Sequence, residues 1–267
     1  PRSAPTSTSS GDPVSRTRPR SSEKTRPSVF WLLGGIVEPF TKYFARIRIH
    51  GAEKIPTEGA FILAPNHYSE FDPLIVSVTV WDIGRAPRFL VKESLFRVPV
   101  LGWALKATGM VPVSRDSSSS SAKSTLSGAE HLATTGSSII VYPEGTLTRD
   151  PDLWPMRGKT GAVRLAFESG VPLIPVAHWG AQEIMPRYGG KLRFWPPRKP
   201  VDFLVGDPLD LSDFDGRHHQ PGALVEATER LMNAIAALLE ELRDEKAPPV
   251  RWNPATHAQK ETGRFES

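Results

Sequence analysis

The chain of 267 residues contains no cysteine. That excludes disulfides, thiolate metal sites and a cysteine nucleophile, and it fits a reducing compartment. Long hydrophobic runs are also missing. The most apolar early stretch, Val29-Phe30-Trp31-Leu32-Leu33-Gly34-Gly35-Ile36-Val37, stops at Glu38-Pro39. A membrane-spanning helix needs about 20 apolar residues, so this one is too short to span. It lies away from a signal-peptide position and lacks a small-residue cleavage site. Histidines do not cluster with carboxylates at metal-ligand spacing, so neither a metal nor another cofactor is expected. No G-x-S-x-G elbow occurs, which removes the common serine acyl-enzyme.

Charge is present but uneven. The net charge is +4, yet residues 1–50 hold nine Lys or Arg against Asp12, Glu23 and Glu38. That segment is therefore +6 and the remainder −2. A basic arm on a near-neutral body suits an anionic surface, nucleic acid or phospholipid. Residues 1–27 are rich in Ser, Thr, Pro and Arg and are expected to be a disordered arm. In residues 28–49, Phe40, Tyr43, Phe44 and Ile47 fall at helical spacing, with Lys42, Arg46 and Arg48 largely off that stripe. Aromatic and basic faces side by side, with Trp31 nearby, describe a helix lying in a membrane interface. An amphipathic helix packed on the domain has the same periodicity.

From residue 50 the chain alternates short apolar runs with longer mixed stretches. Runs at 60–64, 88–92, 110–114, 138–142, 173–179, 191–195 and 201–205 read as strands. Stretches at 73–80, 99–108, 122–134, 161–169 and 222–243 read as helices. The expectation is an α/β fold: a mostly parallel central sheet of about seven strands flanked by helices, behind an N-terminal amphipathic membrane-associating element. The domain is expected at 50–244, with 245–267 a polar, loose tail. The serine run 117–121 reads as a loop.

Ligands of open α/β sheets gather beyond the carboxyl ends of the strands. Four polar groups fall at such ends: His67, the pair Lys92-Glu93, the pair Arg115-Asp116, and Tyr142-Pro143-Glu144-Gly145-Thr146. His67 precedes Asp72 by five residues, and a carboxylate-held histidine is a general base for a hydroxyl. The same spacing recurs at His178 and Glu183, so spacing alone does not single out a site. Direct attack by a substrate hydroxyl on a carbonyl makes an oxyanion, and Lys92 or backbone amides near His67 are available donors. Lys92, Arg115, Arg149 and Lys159 are candidate phosphate ligands; otherwise each is a solvated surface charge. Arg157-Gly158-Lys159-Thr160 is like the end of a P-loop, but the first glycine of that pattern would fall at Leu153, which excludes a nucleoside triphosphate reading. Glu144-Gly145 is either an ordinary turn or a hydrogen-bonding group for substrate hydroxyls.

Four ordered blocks across residues 50–210 resemble glycerolipid acyltransferases of the 1-acyl-glycerol-3-phosphate acyltransferase type. They are Asn66-His67-x4-Asp72-Pro73; Lys92-x-Ser94-Leu95-Phe96-x2-Pro99-x2-Gly102 followed by Gly109 and Arg115; Tyr142-Pro143-Glu144-Gly145-Thr146; and Val171-Pro172-Leu173-Ile174-Pro175-Val176. The resemblance implies that His67 deprotonates an acceptor hydroxyl, which attacks an acyl thioester, and that Asp72 orients His67. It implies that Arg115, Glu144, Gly145 and Thr146 bind the glycerol phosphate, with Lys92 and Lys159 assisting; Asn66 is a further candidate contact. The third block usually carries an arginine where this chain has Leu147, and Arg149 is the candidate substitute. His178 is then expected to be structural. The implied donor is acyl-CoA or acyl carrier protein. The implied acceptor is lysophosphatidic acid, with glycerol-3-phosphate or another lysophospholipid as alternatives. The implied place is the cytoplasmic face of the membrane, bound peripherally to anionic phospholipid and not to nucleic acid. A non-catalytic peripheral membrane-binding protein is the reading from another class.

Overall fold

Apolar runs bounded by Pro and Gly become strands, and the mixed stretches between them become the helices that cover both faces of the sheet. The structure, a computed structural model, describes residues 28–113, 128–129, 132, 134–217 and 219–260. The chain starts with α1 (Val29–Phe44), β1 (Ala45–His50), β2 (Phe61–Pro65) and α2 (Asp72–Ile83). Next come β3 (Leu90–Lys92), α3 (Leu101–Ala107), β4 (Val111–Val113) and β5 (Ser138–Ile140). It ends with α4 (Gly161–Ser169), β6 (Leu173–Trp179), β7 (Lys199–Val205) and α5 (Pro221–Arg243).

Among the described residues the central sheet has five strands in the order β1-β7-β6-β2-β5, and only the β6–β7 pair is antiparallel. This corrects the expected seven. β3 and β4 pair with each other in a separate two-stranded ladder, joined to the main sheet by one bridge between Phe89 and Ile140. The run 191–195 forms no strand; its aromatic residues point to solvent and Pro196-Pro197 cannot donate to a ladder. In compensation, residues 45–50 are a strand where the sequence suggests helix. Helical spacing holds through Phe44, after which Arg46-Ile47-Arg48-Ile49 alternates with period two and pairs with β7.

β2 is buried along its whole length. Phe61 and Leu63 face one apolar layer with Ile75, Val76 and Val80 of α2. Ile62 and Ala64 face the other, with Val163 and Leu165 of α4 and Leu231 and Ile235 of α5. Each of the larger side chains among these contributes about 1.5–3 kcal/mol by leaving water, so the strand carrying His67 at its end is among the best anchored. α2 is apolar nearly all round because α1 covers its outer side, with Phe30 and Trp31 against Trp81. Among the described residues no helix is long and apolar enough to cross a membrane. The far side of α1 leaves Leu32, Ile36, Phe40 and Tyr43 exposed in one stripe.

The tail expected to be loose is docked as far as residue 260. Arg251 bonds to Glu229 and Asn233 of α5, Trp252 carbonyl accepts from Arg157 N–H at 2.8 Å, and Pro254 is buried. The arm 1–27, the serine run 117–121 and most of the helix expected at 122–134 lie outside the described residues.

Candidate active site

The turn from β2 into α2 builds the site. Asp72 is the first residue of α2, where helix N–H groups favour a carboxylate. Its Oδ2 accepts from Tyr68 N–H at 2.7 Å and Ser69 N–H at 2.8 Å, and lies 3.0 Å from His67 Nδ1. Three donors on one buried oxygen hold it still. With Nδ1–H given to Asp72, the lone pair of His67 sits on Nε2, which makes no hydrogen bond among the described residues. The ring stacks on Tyr142 at 4.0 Å between centroids and keeps 16% of its side chain exposed. The result is an imidazole oriented from behind and reachable along one edge.

Two neighbours are engaged by protein groups. Asn66, a candidate substrate contact, is buried with both side-chain groups occupied: Nδ2 donates to His178 carbonyl at 3.1 Å and Oδ1 accepts from His178 N–H at 2.9 Å. It extends the β2–β6 pairing by a side chain and so places His67. Glu144, a candidate for substrate hydroxyls, is fully buried. Oε1 accepts from His67 N–H at 3.1 Å and Oε2 from Met156 N–H at 3.0 Å. Burial pushes this carboxyl up to about 8, against the lowering effect of those two N–H groups. It joins the His67 backbone to the loop behind it, with each oxygen occupied by a backbone N–H.

His178 is buried behind the pair. Its Nε2 lies 3.1 Å from Asn66 carbonyl and its Nδ1 3.2 Å from Tyr68 hydroxyl, which itself accepts from Ala181 N–H. That set fits a neutral ring protonated on Nε2, and burial lowers its pKa accordingly. Glu183, its sequence partner at the repeated spacing, is instead on the surface beside Arg193. Asp72 Oδ1 has no hydrogen bond among the described residues and faces His178 Nδ1 at 3.9 Å.

The cationic candidates separate. Lys159 lies at the turn that follows β5: its N–H donates to Pro143 carbonyl at 2.8 Å, and its side chain lies over Gly145. Gly145 has φ +70°, and a Cβ there would meet Lys159 Cδ at 3.1 Å, so glycine leaves room for the lysine. Lys159, Arg157, Thr160, Glu144 and Pro254 line a cleft of about 310 Å³. Thr146 is half-buried in the same turn. Arg149 is buried against the ring of Tyr188, turned into the protein. Lys92 is exposed at the end of β3 in the side ladder and makes no hydrogen bond or ion pair with the His67 group. Arg115 lies outside the described residues.

Sequence reasoning passes over Thr148, Met156, Arg187 and Tyr188. Thr148 N–H donates to His67 carbonyl at 2.7 Å, and its hydroxyl donates to Trp154 carbonyl. Arg187 and Tyr188 hydroxyl both donate to Thr148 carbonyl. Most of these bonds end on backbone atoms, which leave no signature in side-chain type.

The Acyltransferase family profile matches residues 46–179. A chloroplastic 1-acyl-sn-glycerol-3-phosphate acyltransferase of Brassica napus is 33% identical over 54% of this chain and 40% of its own length. A chloroplastic enzyme of the same description from Arabidopsis thaliana is 31% identical over 54% of this chain and 38% of its own. The matched stretch thus spans about two fifths of these curated relatives. The crystal structure of the 1-acyl-sn-glycerophosphate acyltransferase PlsC from Thermotoga maritima superposes with a TM-score of 0.58 at 24% identity, covering 82% of this chain and 83% of that one. This last likeness carries the fold.

Proposed function

The chain belongs to the Acyltransferase family, and from that premise we propose that it moves a fatty acyl group from acyl-CoA to the free hydroxyl of 1-acyl-glycerol-3-phosphate, forming phosphatidic acid. The observation that carries this is the His67–Asp72 pair at the end of β2, held from behind and open at Nε2. In the proposed step Nε2 takes the acceptor hydroxyl proton as its oxygen attacks the thioester carbonyl. The imidazolium is steadied by Asp72. The tetrahedral intermediate then expels the CoA thiolate, which recovers the proton from His67. No enzyme nucleophile is needed. The serine hydroxyl of the turn, Ser69, donates to Met185 carbonyl and accepts from Phe71 N–H, which occupies it structurally.

Lys159, beside Gly145 and lining the cleft with Arg157 and Thr160, supports a place for the acceptor phosphate there. The exposed stripe of α1 supports contact with a membrane surface, where such an acceptor resides. Glycerol-3-phosphate is the second acceptor reading. It is favoured by Leu147, which is buried where the resembled block carries an arginine.

Labelled palmitoyl-CoA and oleoyl-CoA, supplied with lysophosphatidic acid and with glycerol-3-phosphate, test both readings. Transfer to lysophosphatidic acid is expected to exceed transfer to glycerol-3-phosphate. His67→Ala is expected to lower kcat by about 10²–10⁴ with an unchanged circular dichroism spectrum. Near-wild-type turnover in that variant would sink the proposal.

A further inference from the structure

The loop between residues 191 and 199 spends backbone hydrogen bonds inward and aromatic surface outward. Lys199, buried at the start of β7, donates to Arg193 carbonyl at 2.7 Å and Pro196 carbonyl at 2.6 Å. Arg193 N–H reaches Ile184 carbonyl at 2.8 Å, and Arg198 N–H reaches Tyr43 carbonyl at the end of α1 at 2.8 Å. The loop is thus pinned at both ends. Between the pins, Phe194 is 61% exposed and Trp195 is 83% exposed. An ordered loop that leaves two large aromatic rings in water points to a partner.

We propose that this loop is a second membrane-docking element, inserting Phe194 and Trp195 at headgroup depth in an anionic bilayer. Three observations choose that occupant. The rings continue an existing apolar surface: Phe194 meets Phe44 edge-on at 5.3 Å, beside the exposed Phe40 and Tyr43 of α1. The surround is basic: Lys191 and Arg198 flank the rings, and Arg46 sits one residue along β1 from the Ala45–Lys199 register pair. None of these three pairs with an acid among the described residues, whereas Arg193 pairs with Glu183. Trp favours headgroup depth and Lys or Arg favours anionic lipid. A second copy of the chain docked symmetrically here would bring the same cations together, which disfavours it.

The position also lies close to the His67–Asp72 turn. Phe44 meets Phe71 at 5.7 Å, and Phe71 immediately precedes Asp72. A bilayer touching the loop therefore lies one ring beyond the turn that holds the base. The inference extends the membrane contact of α1 and does not depend on the acyl-transfer reading.

The test uses the full chain and co-sedimentation with phosphatidylcholine vesicles, with and without phosphatidylglycerol. Phe194→Ser with Trp195→Ser is expected to weaken binding to both vesicle types by about tenfold or more. Lys191→Gln with Arg198→Gln is expected to remove most of the gain from phosphatidylglycerol and little else. Turnover on detergent-dispersed substrate should remain at the wild-type level in both. Wild-type vesicle affinity in both variants overturns the proposal. So does a change in oligomeric state, read by light scattering, with vesicle affinity unchanged. Absence of acyl transfer by the wild-type chain would overturn the proposed function and leave this inference standing.

Discussion

Glu144 accepts N–H bonds from His67 and from Met156, and it does so with no access to water. Burial raises its pKa to about 8 from an ordinary 4.5. Between those values the folded chain keeps a proton that the unfolded chain has released. Stability should therefore fall as pH rises through that window and level off above it. Glu144→Gln removes the titration and turns an amide donor toward a backbone donor, at a cost of about 1–3 kcal/mol. The expected result is a lower thermal midpoint with a flatter pH profile between 4.5 and 8. An undiminished slope in the variant would place the titrating group elsewhere. The His67–Asp72 pair is readable in the sequence because both partners belong to one short turn. The roles of Glu144 and Asn66 are not, because each satisfies backbone groups brought together only by the sheet.

At the scale of elements, α4 and β6 are found at the positions the sequence suggests, since each is bounded by a glycine or proline, α4 keeps a helical period and β6 is a short apolar run. β1 escapes because its first residues continue the helical spacing of α1, and only the pairing to β7 decides between the periods. The segment 247–260 escapes for another reason: it is polar and holds no period, yet side-chain bonds and one buried proline fix it. It braces the cleft. Trp252 carbonyl holds Arg157 N–H on one side of the loop, and on the other Gly158 lies so close to α5 that a Cβ would meet Met232 Cγ at 2.7 Å. Arg251→Ala releases the strap from Glu229 and Asn233 and is expected to cost about 1 kcal/mol of local stability. Hydrogen exchange should show this first at the Arg157 amide and across 247–260, with the core of β2 and β6 unaffected. Uniform exchange across the chain would instead mean global loosening.

For the whole molecule, the α/β class is legible because strands buried on both faces read as continuous apolar runs, as in β2 and β6. The division into a five-stranded sheet and a two-stranded ladder is not, because β3 and β4 are three residues each and join the sheet through one bridge. Charge distribution is legible without any structure, and it bears on how the molecule meets a surface. Residues 1–27 carry six Lys or Arg against Asp12 and Glu23, and they lead directly into α1 with its exposed apolar stripe. Each basic residue that reaches an anionic bilayer adds about 1 kcal/mol, within a Debye length and subject to salt. Apolar contact from α1 is far less sensitive to salt. Deleting residues 1–27 is therefore expected to weaken binding to phosphatidylglycerol vesicles at low salt and to shrink its salt dependence. Binding at high salt, the thermal midpoint and turnover on detergent-dispersed substrate should hold. Loss of turnover in detergent would tie the arm to the chemistry itself, and salt-insensitive binding in the wild-type chain would remove the electrostatic role of the arm.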